Sequence, residues 1–260
     1  MILSKRVLSP PERSFMVSRK LPASLLEAKH GLGRAKYRLL DKAKTLTDAN
    51  EHLFHKIKPY TMSSRLKLRS LKSLAESMNH NRVPGDFVEC GTFKGGSAAV
   101  ISTALSSERK LWLFDSFEGL PDVREVDGAD SKDWVGKCRA SEADVIEALK
   151  TVGVSPEQYL IRKGWFQDTF KDQLPEEVAL LHCDADWYDS VLLTLETFYD
   201  RIPAGGVVVL DDFGWWEGCR EAFYDFCARR NEKPLLERVD CDQAYWIKGK
   251  TDNRERDGVW

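Results

Sequence analysis

Four apolar runs in this chain each finish on an acidic residue, and that pattern limits what it can fold into more than any other feature. Phe87 to Cys90 carries Glu89 at its end. Leu111 to Phe114 stops at Asp115, Val178 to Cys183 at Asp184, and Gly206 to Leu210 at Asp211. A further run, Tyr159 to Ile161, has the same character. Helical patterns lie between them: Gly95 to Leu105, Ser141 to Lys150 with Ser141 as N-cap and Asp144 at the third helical position, Ser190 to Tyr199, and Glu217 to Arg230. Continuous apolar strands alternating with helices predict an α/β fold, a parallel sheet covered by helices on both faces. Two closing runs, Leu235 to Val239 and Gln243 to Lys248, joined by a tight turn at Asp240 to Asp242, add antiparallel pairing and bring the count to seven strands. Such sheets bind ligands at the carboxyl ends of their strands. Glu89, Asp115, Asp184 and Asp211 are therefore expected on one rim.

Ahead of this pattern the chain is different. Residues 1–20 read as irregular, with Pro10-Pro11 as a breaker, and Pro22 to Leu46 and Ser64 to Met78 read as helices. The polar stretch Asn79 to Gly85 is the expected boundary between an N-terminal helical extension or lid (1–80) and an α/β domain (81–260). The first 20 residues lack the apolar core of a secretory signal. No apolar run reaches the roughly 18 to 20 residues that span a bilayer. A net charge of −2 gives no sign of nucleic acid or an anionic membrane as partner. The six cysteines form no C-x-x-C pair. They read as free thiols of a cytoplasmic protein, Cys90 and Cys183 as core residues.

The turn Glu89-Cys90-Gly91-Thr92-Phe93-Lys94-Gly95-Gly96-Ser97 follows a strand and opens a helix. Gly91 permits the sharp turn, and Gly95 and Gly96 let a ligand approach the backbone. The turn matches neither a Walker A loop nor G-x-G-x-x-G. Glu89 would repel a pyrophosphate and suits a cationic aminoacyl group. Asp115, ending the next strand, is placed for the two ribose hydroxyls of an adenosine. Together these point to S-adenosylmethionine. The competing explanation is an ordinary turn whose glycines serve packing.

Strands β-paired side by side lie about 5 Å apart, so Asp184-Ala185-Asp186 and Asp211-Asp212 converge. Clustered carboxylates repel each other unless a cation sits among them. Oxygen-only ligands favour a hard ion, Mg²⁺ first. Asp184, Asp211 and Asp212 are the expected ligands, and Asp186 the residue that takes a proton from a substrate hydroxyl. The bland alternative is that Asp186 or Asp212 caps the following helix. Trp215 and Trp216 can form a stacking wall for an acceptor or pack in the core. His182 is expected to be a buried structural residue, and Arg220 to sit at the surface or support the metal acids from behind.

The runs FVECGTFKGGSA, LWLFDSFEGLP, KGWFQDTF, LLHCDADWYDSVLLTLETFYDRIPAGGVVVLDDF and GCREAFYDF, from Phe87 to Phe226, resemble the macrocin O-methyltransferase family. The resemblance implies a class I methyltransferase (Rossmann-like) fold, S-adenosylmethionine as donor, Mg²⁺, a small-molecule hydroxyl acceptor such as a sugar or other natural product, and a homo-oligomer. By position it gives Asp184, Asp211 and Asp212 to the metal and the role of base to Asp186. Glu89, Gly91, Thr92, Gly95, Ser97, Asp115 and Ser116 fall to the cofactor, as do Gly164, Trp165 and Phe166 near its adenine. Two alternatives stay open on the residues alone. One is a metal-dependent glycosyltransferase using Asp184-Ala185-Asp186 as a D-x-D; the other is a non-catalytic protein that keeps a cofactor pocket.

Overall fold

The computed structural model describes residues 50–251, so the helix expected over Pro22 to Leu46 lies outside the described residues. Helices α1 (Glu51–Ile57) and α2 (Arg65–His80) precede β1 (Asp86–Cys90). There follow α3 (Gly96–Ser102), β2 (Leu111–Asp115), α4 (Glu142–Thr151), β3 (Tyr159–Lys163) and a single turn, α5 (Phe166–Thr169). The chain continues through β4 (Val178–Cys183), α6 (Tyr188–Phe198), β5 (Val207–Leu210), α7 (Glu217–Arg230), β6 (Glu237–Arg238) and β7 (Ala244–Ile247).

The strands form one seven-stranded sheet in the order β3-β2-β1-β4-β5-β7-β6. The first five run parallel; β7 pairs antiparallel with both β5 and β6. Strand β1 is the switch point: β2 and β3 extend the sheet on one side of it, and the chain then crosses back from β3 to lay β4 and β5 on the other.

Alternation along the strands sorts side chains onto two faces. Val88, Leu181, Cys183, Val208 and Leu210 pack with α6 and α7 through Val191, Leu195, Phe198, Ala222 and Phe226. Phe87, Leu113, Leu180, Val207 and Val209 pack with the other helices. Helix α2 turns Leu68, Leu71, Ala75 and Met78 to this second face, one residue every three or four. Helices α1 and α2 thus share one core with the sheet. The expected capping box of α4 forms: Asp144 N donates to Ser141 Oγ (3.3 Å) and Ser141 N to the Asp144 carboxylate (2.9 Å).

The differences from expectation lie at ends and edges. Helix α3 stops at Ser102, where three successive i→i+3 bonds tighten the chain through Leu105. The run Leu235 to Val239 pairs only over Glu237–Arg238, at the sheet edge. The segment between β2 and α4 coils into 3₁₀ turns at Glu125–Asp127 and Ala129–Trp134. Asp127 anchors it, accepting from Tyr188 N (2.7 Å) at the start of α6 and from Arg124 N (2.7 Å). Gly218 in α7 makes room, since a Cβ there would overlap the Asp127 carboxylate.

Candidate active site

A cavity of about 500 Å³ opens at the carboxyl ends of the parallel strands. One half is built from β1, β2 and β3. Gly91 turns the chain at φ 89°, and a Cβ on it would overlap the Asp184 carbonyl oxygen, so only glycine fits. Asp115 receives the turn: Thr92 N and Phe93 N donate to its Oδ2 (2.8 and 2.7 Å), and Phe117 N to its Oδ1 (2.6 Å). A carboxylate offers about four acceptor directions, so roughly one remains for a ligand hydroxyl rather than the pair expected. Burial raises the pKa of Asp115, and these three N–H donors oppose the rise.

Gly91, Thr92, Ser97, Asp115 and Ser116 line the cavity, as do Gly164, Trp165 and Phe166. Glu89 and Gly95 do not. Glu89 follows Phe87 in the strand's alternation, so its side chain enters the face covered by α2 and is wholly buried. Its Oε1 meets His182, and its Oε2 is buried with no hydrogen-bond partner among the described residues. Gly95 turns at φ 85° against Val145 of α4, which is a packing role.

The other half is built from β4, β5 and the helices beyond them. Ligand oxygens of Asp184, Asp186 and Asp212 lie within 4.8 Å of one another, as do ligand atoms of His182, Asp184 and Asp211. Neither acidic pair caps a helix: α6 and α7 begin after Trp187 and Trp216 without side-chain caps. Asp186 is held at φ 53°, and Trp216 Nε1 donates to its Oδ1 (2.9 Å). Trp216 is buried among Trp134 and Trp187, while Trp215 is exposed and lines the cavity. Trp216 also lines the cavity and meets the Trp215 ring edge-on, so it belongs to both the wall and the packed cluster. Arg220 donates to the Phe213 carbonyl (3.2 Å), not to the acids.

A buried polar chain runs under these acids. His182 Nδ1 meets Glu89 Oε1 at 2.9 Å and its Nε2 meets Asp211 Oδ1 at 3.4 Å. Gln243 Nε2 donates to the same Asp211 oxygen (2.7 Å), and Lys67 Nζ to Asp211 Oδ2 (2.7 Å) and to its carbonyl (3.1 Å). Alternation explains the alignment, because Glu89, His182 and Asp211 continue one face across β1, β4 and β5. Burial alone would lower the His182 pKa; the bonds to Asp211 and Glu89 outweigh it and lift it to about 9. Burial likewise works to raise the pKa of Asp211, but His182 and Lys67 hold it below the usual carboxylate range. The remaining acids go the other way. Burial first, then Asp211, pushes Asp212 up to about 7. Burial, then neighbouring acids, pushes Asp184 and Asp186 well above the ordinary range.

Lys67 and the Asp127 anchor were not singled out from the sequence. A signal for Lys67 exists: it stands four residues before Leu71, on the apolar stripe of α2. The thiols meet expectation, with Cys90 and Cys183 buried and every cysteine among the described residues free. Among the described residues no helix is long and apolar enough to cross a membrane.

The strand order, the glycine turn at the switch point and the acids on the same rim define a class I methyltransferase. The structure of the O-methyltransferase NovP superposes with a TM-score of 0.66 at 29% identity, over 72% of this chain and 81% of that one. The fold is also that of an S-adenosylhomocysteine-bound methyltransferase from Podospora anserina (TM-score 0.52, 20% identity, 76% of this chain and 88% of that one). The macrocin O-methyltransferase family model matches residues 29–248, and the chain belongs to that family. Demethyldecarbamoylnovobiocin O-methyltransferase of Streptomyces niveus is 30% identical over 196 residues, covering 72% of this chain and 75% of its own length. Mycinamicin III 3''-O-methyltransferase of Micromonospora griseorubida is 28% identical over 198 residues, covering 72% and 78%. The protein is an S-adenosylmethionine-dependent O-methyltransferase, which sets aside the glycosyltransferase and non-catalytic alternatives.

Proposed function

We propose that the enzyme methylates a hydroxyl of a sugar or related natural product, with a divalent cation at Asp184, Asp211 and Asp212 and with Asp186 as the base. One observation carries the reading. A rim built from backbone and a cluster of carboxylates with displaced ionisation face each other across a single cavity. One relative, from Streptomyces olivaceus, is named for a rhamnosyl tetracenomycin and the other two for demethyldecarbamoylnovobiocin and mycinamicin III, which supports a sugar or natural-product acceptor.

The residues fit the cofactor. Thr92 Oγ1 is buried at the glycine turn with no partner in the chain, and Thr92 lines the cavity. They also fit a hard cation. The oxygens of Asp184, Asp186 and Asp212 lie within 4.8 Å of one another and resist ionisation until a cation compensates them, and Asp211 joins the site beside Asp184. When bound, the donor supplies an electrophilic methyl group and Mg²⁺ would lower the pKa of the acceptor hydroxyl.

The chain does the rest. Asp115 and Ser116 hold the adenosine side, and Gly164 to Phe166 line the wall beside it. Asp186 takes the hydroxyl proton on the oxygen that Trp216 leaves free, while a carbon–oxygen bond forms and the carbon–sulfur bond breaks. Trp215 offers an exposed ring to the acceptor. The lining holds nine aspartates and one lysine, which favours a neutral or cationic acceptor over a phosphorylated one. The segment from Tyr60 to Ser63 also lines the cavity, and it packs closely on Gly96 at the start of α3.

Titration calorimetry with S-adenosylhomocysteine tests the donor site, and failure to bind it sinks the reading. Methyl transfer to a panel of neutral glycosides, with Mg²⁺ and with EDTA, tests the cation. Full activity in EDTA removes the metal from the mechanism.

A further inference from the structure

The proposed cation site already contains a positive charge. Lys67 is the one basic residue among the cavity lining. It is held at 7% exposure, with Nζ 2.7 Å from Asp211 Oδ2 and 3.1 Å from the Asp211 carbonyl. Gln243 and His182 occupy the other carboxylate oxygen at 2.7 and 3.4 Å. Both oxygens of Asp211 thus meet protein donors. The ligand oxygens of Asp184, Asp186 and Asp212 crowd within 4.8 Å, and among the described residues the side-chain N–H that meets that trio is the Trp216 indole on Asp186.

Lys67 also belongs to a particular piece of chain. It lies in the first turn of α2, behind Ser64, whose Oγ accepts from Lys67 N (3.2 Å) and donates to Asp240 Oδ2 (3.3 Å). The strap just before it, Tyr60 to Ser63, lines the cavity. The strap lies so close to α3 that a Cβ on Gly96 would overlap Thr61. Three ties therefore seat the strap: the Lys67–Asp211 pair, the Ser64–Asp240 bond and the close approach at Gly96.

We propose that Lys67 is a tethered cation that competes with the divalent ion for Asp211, so that metal loading and the seating of the strap Tyr60–Lys67 oppose each other. Two positive charges on one carboxylate repel at short range in a poorly screened site. Each must then weaken the other by the same factor. The competition sets the site's metal affinity below what its three acids would otherwise reach, and it links the metal to the strap that lines the cavity. Lys67 is here a positioning residue, acting through Asp211 and not on the reacting atoms. The inference rests on the metal reading proposed above.

The test uses Mn²⁺ alone as probe, titrated into the full chain by calorimetry, in wild type, Lys67→Met and Lys67→Arg. Lys67→Met is expected to bind Mn²⁺ about tenfold more tightly, a shift of about 1.4 kcal/mol, and Lys67→Arg close to wild type. S-adenosylhomocysteine affinity, read at the other half of the cavity, serves as the check that each variant is folded. Should Lys67→Met fail that check, hydrogen exchange on wild type decides: Mn²⁺ is expected to speed exchange in residues 60–67 severalfold. Mn²⁺ binding that is equal or weaker in Lys67→Met, or a strap that Mn²⁺ leaves unchanged or protects, overturns the competition while the metal reading stands. Absence of Mn²⁺ binding to wild type and variants alike overturns both.

Discussion

The two halves of the cavity are made of different materials. The half at β1, β2 and β3 is backbone: a turn at Gly91, N–H groups of Thr92, Phe93 and Phe117, and one carboxylate that ties them. The half at β4 and β5 is side chain: three buried groups, His182, Gln243 and Lys67, braced on Asp211, and three acids whose ionisation is displaced. A site of backbone groups tied by one carboxylate, Asp115, depends on pH through that carboxylate alone. A carboxylate site changes charge with its surroundings. The first suits a donor common to many reactions, the second suits the chemistry that distinguishes this one.

If that division is right, the halves should fail separately. Asp212→Asn is expected to have the largest effect. It should cut methyl transfer about 10³-fold, the scale of losing a preorganised electrostatic group, with S-adenosylhomocysteine affinity within about threefold of wild type. Parallel loss of both would show one undivided site. Gly91→Ala should do the reverse, weakening S-adenosylhomocysteine at least about tenfold as the strained turn moves away from Asp184. Calorimetry on both variants reads the contrast directly.

Trp216→Phe removes the N–H from Asp186 while keeping a ring in the tryptophan cluster. A fall of about tenfold in kcat with an unchanged donor KM is expected. If the donor KM moves instead, Trp216 serves the wall and not the base.

The smallest effect is on stability. His182 is lifted from 6.5 to about 9 in the fold. A raised base stabilises the fold fully below pH 6.5, and that contribution is lost as pH climbs through 9. Wild type should therefore lose a few degrees of Tm over this window, on the scale of about 2–4 °C per kcal/mol. His182→Gln should show a flatter profile, and a matching slope in the variant would assign the loss to other groups.

The same contrast marks what could be read in the sequence. Strand-to-acid runs and glycine spacing are local, so the sheet, the turn and the positions of Asp115, Asp184 and Asp212 were legible. The bond between Glu89 and His182 was not legible, because proximity to the turn says nothing of which face a side chain takes; alternation from Phe87 sends Glu89 to His182. Lys67 was not legible as a site residue, since its partner Asp211 is 144 positions away and only packing of α2 on the sheet joins them. The Asp127 anchor was hidden likewise, within a segment without periodicity.

The backbone at Asp186 has a consequence for anyone who engineers this enzyme. A non-glycine residue at φ 53° costs the fold about 1 to 2 kcal/mol, and this one adds a carboxylate to a crowded acidic neighbourhood. Glycine or asparagine there would relieve both burdens. A library screened for heat tolerance alone should thus enrich changes at position 186 and return proteins that are sturdier and inert. Selection has to include turnover from the first round, because at this position robustness and activity pull in opposite directions.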